Sequence, residues 1–324
     1  LLTIAKNSKK KTVFFISNTK KLEKVPYYLS PIRETKNFVH TGVVLFSDLM
    51  TKEICKLIDG KVQNIFVDTE KKSHLVGKNI INIEKTVKES IKKSNLRFYK
   101  ANDLTVNAVE DFLNIFFKDD VRGISGKKIL IIGAGNIGFK LGLKLVERGS
   151  TVFLNRRNNK RLNKICELIN FIKPKGTFAK AKPLNNINRR MEEFDIILCA
   201  SNNQNVISFD DLKNFKKKVV IIDIGKGMFT KRTLNLLYDR NIRVFRHNVE
   251  LSLNILAESS DLFREYANNL NYYQNKTKKF TLLSNGILGR EGDIIVDNPN
   301  KPKLIYGICN GKGDFYRLNQ KEKN

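Results

Sequence analysis

Residues 128–157 constrain this chain more than any other stretch, because they read as one complete strand–turn–helix–strand unit. The run Ile129, Leu130, Ile131, Ile132 has the composition of a strand buried on both faces. Gly133, Gly135 and Gly138 follow at the G-x-G-x-x-G spacing, with Ala134, Asn136 and Ile137 between them. Gly133 permits a tight turn, Gly135 lets a diphosphate approach the backbone, and Gly138 lets the next helix pack close to the sheet. The N–H groups that open that helix then face the phosphate charge. The spacing alone is a weak signal. A strand before it, a helix after it and a second strand at 151–154 give it the context of a dinucleotide site.

The end of the second strand selects among dinucleotides. An NAD site usually places Asp or Glu there, to hydrogen-bond the ribose 2′-hydroxyl. This chain offers Asn155, Arg156 and Arg157 instead. A carboxylate would repel a 2′-phosphate, whereas a guanidinium grips it bidentately and stacks on adenine, so the expected cofactor is NADP in preference to NAD. The same arginines are also compatible with a generally basic surface.

That surface is pronounced: 60 Lys and Arg against 32 Asp and Glu give a net charge of +28. Such a charge raises nucleic acid as a partner, but the lysines are spread along the chain in short clusters, and no zinc-finger spacing, basic coiled coil or RNP signature accompanies them. Nucleic acid is therefore not the expected partner. Cys55, Cys166, Cys199 and Cys309 lie far apart without a C-x-x-C pair, which indicates neither a disulfide framework nor a metal site. No run approaches the 18 or so apolar residues of a membrane span. A cytoplasmic protein without membrane contact is expected.

The fold class that follows is α/β, a doubly wound parallel sheet with a second α/β domain and a small C-terminal β meander. Six strands are expected from residue 128 onward, at 128–132, 151–154, 177–180, 195–200, 218–224 and 242–246. Before them, strands at 12–16, 42–46, 64–67, 80–83 and 97–100 alternate with a helix at 48–58. A helix over 103–117 is placed to bridge the two domains. A further helix at 251–269 is placed to pack back on the first, and strands at 293–296, 303–309 and 314–318 make the meander. The expected domains are 1–105 for substrate, 106–250 for NADP, and 251–324 for the helix and meander.

In such sheets ligands lie beyond the carboxyl ends of the strands. Cys199, Ala200 and Ser201 after the fourth strand are candidates to line the cofactor cleft, Cys199 as a small apolar group. Lys226, between two glycines after the fifth strand, is a candidate substrate anchor. His247 after the sixth is a candidate proton donor, since imidazole titrates near neutrality. Lys100 and Asp103 form a candidate proton-transfer pair, with a helix N-cap by Asn102 or Asp103 as the plainer reading.

The Gly-Ala-Gly-Asn-Ile-Gly turn with Asn155-Arg156-Arg157 resembles shikimate dehydrogenase, in which Asn102-Asp103 would correspond to a substrate-contacting Asn-Thr-Asp segment; the Thr-x-Pro-x-Lys stretch of that family is absent. Residues 106–113 and 126–133 are similar to D-2-hydroxyacid dehydrogenases, whose substrate-binding arginine would fall on Lys226. The Ile-Asp-Ile-Gly segment resembles methylenetetrahydrofolate dehydrogenase. Glutamyl-tRNA reductase shares the Asn-Arg ending, but its Thr-Cys-Asn-Arg nucleophile motif is not found. These resemblances imply an NADP-dependent oxidoreductase that moves a hydride to or from a small polar, anionic substrate in an interdomain cleft. A homodimer is left open. Two alternatives stand beside it: a non-catalytic NADP-binding sensor module, and a tRNA-linked reductase or nucleic-acid-binding protein.

Overall fold

The computed structural model describes residues 1–18, 27–70, 75–76, 79–80, 82–187, 191–201, 207, 215, 218–225, 227–270, 272–274 and 281–317. Two compact units emerge from it. The first comprises Leu1–Leu2, Thr12–Arg33 and His40–Asn254; the second comprises Thr3–Lys11, Glu34–Val39 and Ile255–Asn324.

After α1 (Leu2–Ser8), the first sheet is built from β1 (Lys11–Asn18), β2 (Tyr27–Leu29), β3 (Arg33–Glu34) and β4 (Phe38–Leu45). It continues past α2 (Asp48–Ile58) with β5 (Asn64–Asp68). A two-stranded pair, β6 (Leu75–Val76) and β7 (Asn79–Ile80), and α3 (Ile83–Ser90) then precede β8 (Asn95–Tyr99). The strand order is β2-β4-β1-β5-β8, with β3 beside β4; β1, β5 and β8 run parallel. Alternation along β1 divides its side chains between two faces. Phe14 and Ile16 join Cys55, Ile65 and Val87 in the core beneath α2 and α3. Phe15, on the other face, meets Phe66, His40 and Tyr99 at centroid distances of 5.1, 5.5 and 5.9 Å.

Several boundaries differ from expectation for identifiable reasons. The strand expected at 42–46 begins at Phe38, because buried His40 and Thr41 hide it in the sequence; the Thr41 hydroxyl is satisfied by the Ser30 carbonyl at 2.7 Å. The strand expected at 80–83 stops at Ile80 and Ile83 is helical, since the Asn82 side chain accepts from the Lys85 amide and caps α3.

The bridging helix α4 (Ala101–Phe116) is not capped by Asn102 or Asp103; both lie inside it, with Lys100 at the cap position. Its first amides are satisfied from the first sheet, Ala101 by Asp68 at 3.1 Å and Asn102 by Glu70 at 3.1 Å. Its body belongs to the second sheet. Val106, Val109 and Leu113 are buried in one core with Ile129, Ile131, Leu141 and Leu145.

That second sheet comprises β9 (Lys128–Ile132), β10 (Thr151–Asn155), β11 (Ala181–Pro183), β12 (Ile196–Cys199), β13 (Val220–Asp223) and β14 (Val244–Arg246). Helices α5 (Asn136–Glu147), α6 (Asn159–Ile172) and α7 (Lys231–Asp239) connect its strands. All pairs are parallel, in the order β11-β10-β9-β12-β13-β14, so the direction of winding reverses between β9 and β12. Both faces are covered: Ile129 and Ile131 face the α4–α5 core, Leu130 and Ile132 the core around Phe194 and Met191. Burying one such side chain contributes about 1.5–3 kcal/mol. The edge strand forms at Ala181–Pro183 and not at 177–180. Asn170 brackets Ala181 with two hydrogen bonds, of 2.8 and 2.9 Å, while the Lys173 ammonium holds the Thr177 and Ala179 carbonyls away from the ladder.

In the second unit, after α8 (Glu250–Asn269), come β15 (Tyr272–Gln274), β16 (Thr281–Ser284), β17 (Ile294–Val296), β18 (Ile305–Cys309) and β19 (Phe315–Arg317), in sequential order. The expected meander gains two strands, and one step departs from it: β16 and β17 pair in parallel.

His40 supplies a test of the first sheet. Its Nε2 donates to the Asn254 side chain at 2.6 Å, and the ring is 1% exposed. Burial pushes its pKa below the ordinary 6.5, and the Arg33 charge adds to this, against the opposing pull of Asn254 and Glu250. The folded protein therefore binds this proton less well than the unfolded chain. Stability is fully present above about pH 6.5 and falls as pH drops from there toward the folded pKa. Urea melts should show a steeper loss between pH 6.5 and 5 for the native protein than for His40→Gln, which at pH 7.5 is less stable by about 1–2 kcal/mol. Parallel pH profiles would exclude this role for His40.

Candidate functional site

The strand ends of the second sheet approach one another with almost no room between their backbones. Gly133 leaves β9 at φ +104°, and a Cβ there would stand 2.7 Å from the Ala200 carbonyl carbon. One on Gly138 would stand 2.2 Å from the Gly133 oxygen, and one on Gly225 would stand 1.8 Å from the Ser201 oxygen. Gly135 is different: a Cβ added there meets nothing within 4 Å, so a side chain would project into open space. It is also the N-cap of α5, and no side chain caps that helix. The positive end of α5, with the amides of Asn136, Ile137 and Gly138, is thus presented to a cleft that glycine keeps clear.

This first cleft, about 410 Å³, is lined by Ile132, Gly133, Ala134, Gly135, Asn155, Arg156, Arg157, Asn158, Ala200 and Ser201. Seven residues singled out from the sequence therefore meet on one wall, and no carboxylate is among the described lining residues. Their parts differ. The Asn155 carbonyl accepts from the Gly133 and Ala134 amides, both at 3.0 Å, and its side-chain amide donates to the Leu184 carbonyl at 2.7 Å, so Asn155 shapes the turn. Arg156 donates to the Ala134 carbonyl at 2.5 Å. Arg157 is exposed at the cleft. Cys199 corrects the expectation: it is fully buried beneath the cleft and off its wall, and burial, then Asp223, raises its thiol pKa well above the usual range.

A second cleft of about 740 Å³ adjoins the first around the opening turn of α5, where Gly135 lines one and Ile137 the other. Its walls come from both sheets: Tyr28, Ser30, Pro31 and Arg33 from the first, and Ile224, Arg246, His247, Asn248 and Val249 from the strand ends of the second. Thr105, Glu250 and Leu253 complete it. His247 is half-buried, and its amide donates to the Asp223 carbonyl at 3.0 Å. Arg33 Nε lies 3.2 Å from Glu250 Oε2. The rule that selected His247 also reaches Arg246 beside it, whereas nothing in the sequence announced Tyr28 or Arg33. Lys226 lies outside the described residues.

Lys100 and Asp103 line neither cleft among the described residues. Their side chains meet at 2.5 Å, and Lys140 of α5 joins the same carboxylate. Burial pushes the Asp103 carboxyl up, but hydrogen bonds from Lys100 and Lys140 outweigh it and hold the pKa below the usual value; bonding to Asp103 raises Lys100. Both stay charged at neutral pH, which suits a link between α4 and α5 better than proton transfer. Glu110 with Lys144 at 2.6 Å makes a second such link. The other cysteines are buried as well, and burial pushes Cys55 to about 12, Cys166 to about 11 and Cys309 upward. No group of three metal-ligating side chains occurs among the described residues, and no helix there is long and apolar enough to cross a membrane.

Residues 117–228 match the shikimate / quinate 5-dehydrogenase family, a stretch of about a third of the chain that contains the whole first cleft. Glutamyl-tRNA reductase of Campylobacter jejuni is 20% identical over 164 residues, which are 47% of this chain and 37% of that protein. The Sulfolobus acidocaldarius enzyme of the same name is 30% identical over 155 residues, 44% of this chain and 34% of that one. The match thus spans little more than a third of those relatives. Among solved structures, shikimate dehydrogenase from Aquifex aeolicus aligns over 78% of this chain and 92% of its own, at 14% identity and a TM-score of 0.44. L-tryptophan dehydrogenase from Nostoc punctiforme aligns over 72% and 69%, at 9% identity and a TM-score of 0.39.

Two glycines separate ligand contact from folding. Gly138→Ala must displace the Gly133 turn and should destabilise the protein by more than about 2 kcal/mol in urea melts. Gly135→Ala should alter stability by less than about 1 kcal/mol, yet weaken dinucleotide binding tenfold or more by calorimetry. Unchanged binding in Gly135→Ala would show that the ligand does not lie against that turn.

Proposed function

We propose that this chain is an NADP-dependent oxidoreductase that moves a hydride to or from a small, polar, anionic substrate held in the second cleft. The observation that carries this reading is the meeting of the two clefts at one helix N-terminus. A dinucleotide whose diphosphate lies on the α5 amides reaches Arg157 at one end and the second cleft at the other. The fit is steric as well as electrostatic, since Gly135 leaves the space open and the wall offers guanidinium without carboxylate. Bound NADP(H) supplies or accepts the hydride. The chain's own residues do the rest: Arg157 receives the 2′-phosphate, the α5 amides hold the diphosphate, and His247, on the wall of the substrate cleft, exchanges the proton that accompanies carbonyl reduction. Lys226 belongs to the proposal as a substrate anchor on its position in the sequence alone.

A second reading, a tRNA-linked reductase, draws on the two glutamyl-tRNA reductases that match nearly half the chain. Thiol attack on an acyl group is poorly served here, because all four cysteines are buried with raised pKa values and thiolate is the nucleophile.

Fluorescence titration should give NADPH an affinity at least tenfold above that of NADH, and Arg157→Gln should remove the difference. Equal affinities in the native protein would contradict the NADP assignment. With an oxo-acid substrate found by following NADPH oxidation, His247→Gln should lower kcat by about 10²-fold or more with little change in NADPH affinity. NADPH binding without turnover of any carbonyl compound would instead indicate a sensor, and a steep salt dependence of RNA affinity would favour the tRNA-linked reading.

A further inference from the structure

We propose that the C-terminal half of α6 and the loop after it form a docking surface for an anionic phospholipid bilayer, into which Phe171 and Phe178 insert while nearby lysines meet the lipid charge. The proposal concerns neither cleft and holds whatever those clefts bind. α6 turns Leu162, Cys166 and Ile169 into the core. Its outward side carries Lys160 and Lys164 toward the start and Leu168, Phe171 and Ile172 toward the end, the last three at the i, i+3, i+4 spacing of one patch. Packing against the sheet accounts for the first set of apolar residues and not for the second. Phe171 is 87% exposed, and Leu168 and Ile172 are half exposed.

The loop brings a second aromatic to the same end of the helix and holds it there. The Thr177 amide donates to the Pro174 carbonyl at 2.9 Å, and the Lys173 ammonium donates to the carbonyls of Thr177 and Ala179, on either side of Phe178. Asn170 fixes the exit of the loop through its two hydrogen bonds to Ala181. Phe178 is thus 97% exposed on a backbone that is pinned on both sides. Phenylalanine is among the residue types most often buried, and exposed apolar side chains grouped at one place mark an interaction surface.

Charge and shape select the occupant. Between Asn159 and Pro183, seven lysines and arginines stand against one acid, Glu167. Two copies of the chain meeting here would press those cations together, so the partner is anionic. Phe171 and Phe178 project from the surface, so they enter the partner and do not receive it. Bases of a nucleic acid stack on phenylalanine, but Leu168 and Ile172 offer them no π-face. A bilayer with anionic headgroups uses every part: aliphatic and aromatic side chains enter the acyl boundary, and lysines carry their ammonium groups to the headgroups. Contact of this kind needs no membrane-spanning helix. α6 starts beside Asn158 on the wall of the first cleft, and its 14 residues span about 20 Å, which sets the inserted end well away from that cleft.

The test is co-sedimentation of the full chain with vesicles of phosphatidylcholine, alone or with about one third phosphatidylserine, at about 0.15 M salt. The native protein should partition onto the anionic vesicles at least about tenfold more strongly than onto the neutral ones. Phe171→Ser with Phe178→Ser should lower that partition by about tenfold or more while leaving the urea midpoint unchanged. Lys164→Gln, Lys175→Gln and Lys180→Gln together should lower it by about tenfold, whereas Lys52→Gln, Lys56→Gln and Lys61→Gln, an equal charge removed around α2, should lower it by less than about twofold. Insertion has its own readout. The four native cysteines are buried, so an environment-sensitive dye on Phe178→Cys labels one place, and its emission should shift to the blue on adding anionic vesicles. The proposal is overturned if the paired phenylalanine substitutions leave binding unchanged, if the α2 set costs as much as the α6 set, if neutral vesicles bind equally well, or if the dye emission does not move. It is overturned equally if the paired substitutions weaken binding of oligouridine RNA by the native chain and vesicles do not bind, which marks a nucleic-acid surface, or if they turn a dimer into a monomer, which marks a contact between copies.

Discussion

The structure depends on how closely three backbone turns approach one another at the carboxyl ends of β9, β12 and β13. A methyl group on Gly133 or Gly225 would overlap the backbone of Ala200 or Ser201. Such contacts are available only to glycine, and they draw the start of α5 against the sheet at the place where the strand order reverses. The backbone of Gly133 and Gly135 therefore borders the first cleft. A helix N-terminus is left facing it because Gly135 brings no side chain to cap it.

The second cleft follows from the same packing through α4. That helix buries its apolar face with the second sheet, yet its first amides are satisfied by Asp68 and Glu70 at the end of β5. Ion pairs from Asp103 and Glu110 to Lys140 and Lys144 fix it along α5. Exposed pairs of this kind contribute little stability singly, about 0–1 kcal/mol each; here they set register. Ends of both sheets are thereby held within one compact unit, which is how Arg33 and Tyr28 come to line a cavity with Arg246 and His247.

How much of this could be read from the sequence depended on whether the signal was local. The second sheet is legible almost strand by strand, since buried parallel strands are short apolar runs and glycine spacing encodes a turn. Seven of the residues singled out for cofactor binding line the first cleft. Cys199 lies off the cleft because strand alternation turns it into the core with Leu130 and Ile132, although it ends its strand. Lys100 and Asp103 read as a proton-transfer pair because Lys140, which shares the Asp103 carboxylate, lies 37 residues beyond Asp103. Arg33 and Tyr28 carried no signal: β2 and β3 are three and two residues long, and only tertiary pairing with β4 gives them a place.

The central claim is that one dinucleotide lies across the glycine turn and ends in the arginine-lined cleft. A crystal structure of the protein with NADP⁺ tests this most directly. The account predicts the diphosphate on the amides of residues 136–138, the 2′-phosphate on Arg157, and the nicotinamide ring at the mouth of the cleft lined by Ile224 and His247. A diphosphate bound elsewhere, or a nicotinamide turned away from that cleft, would contradict it.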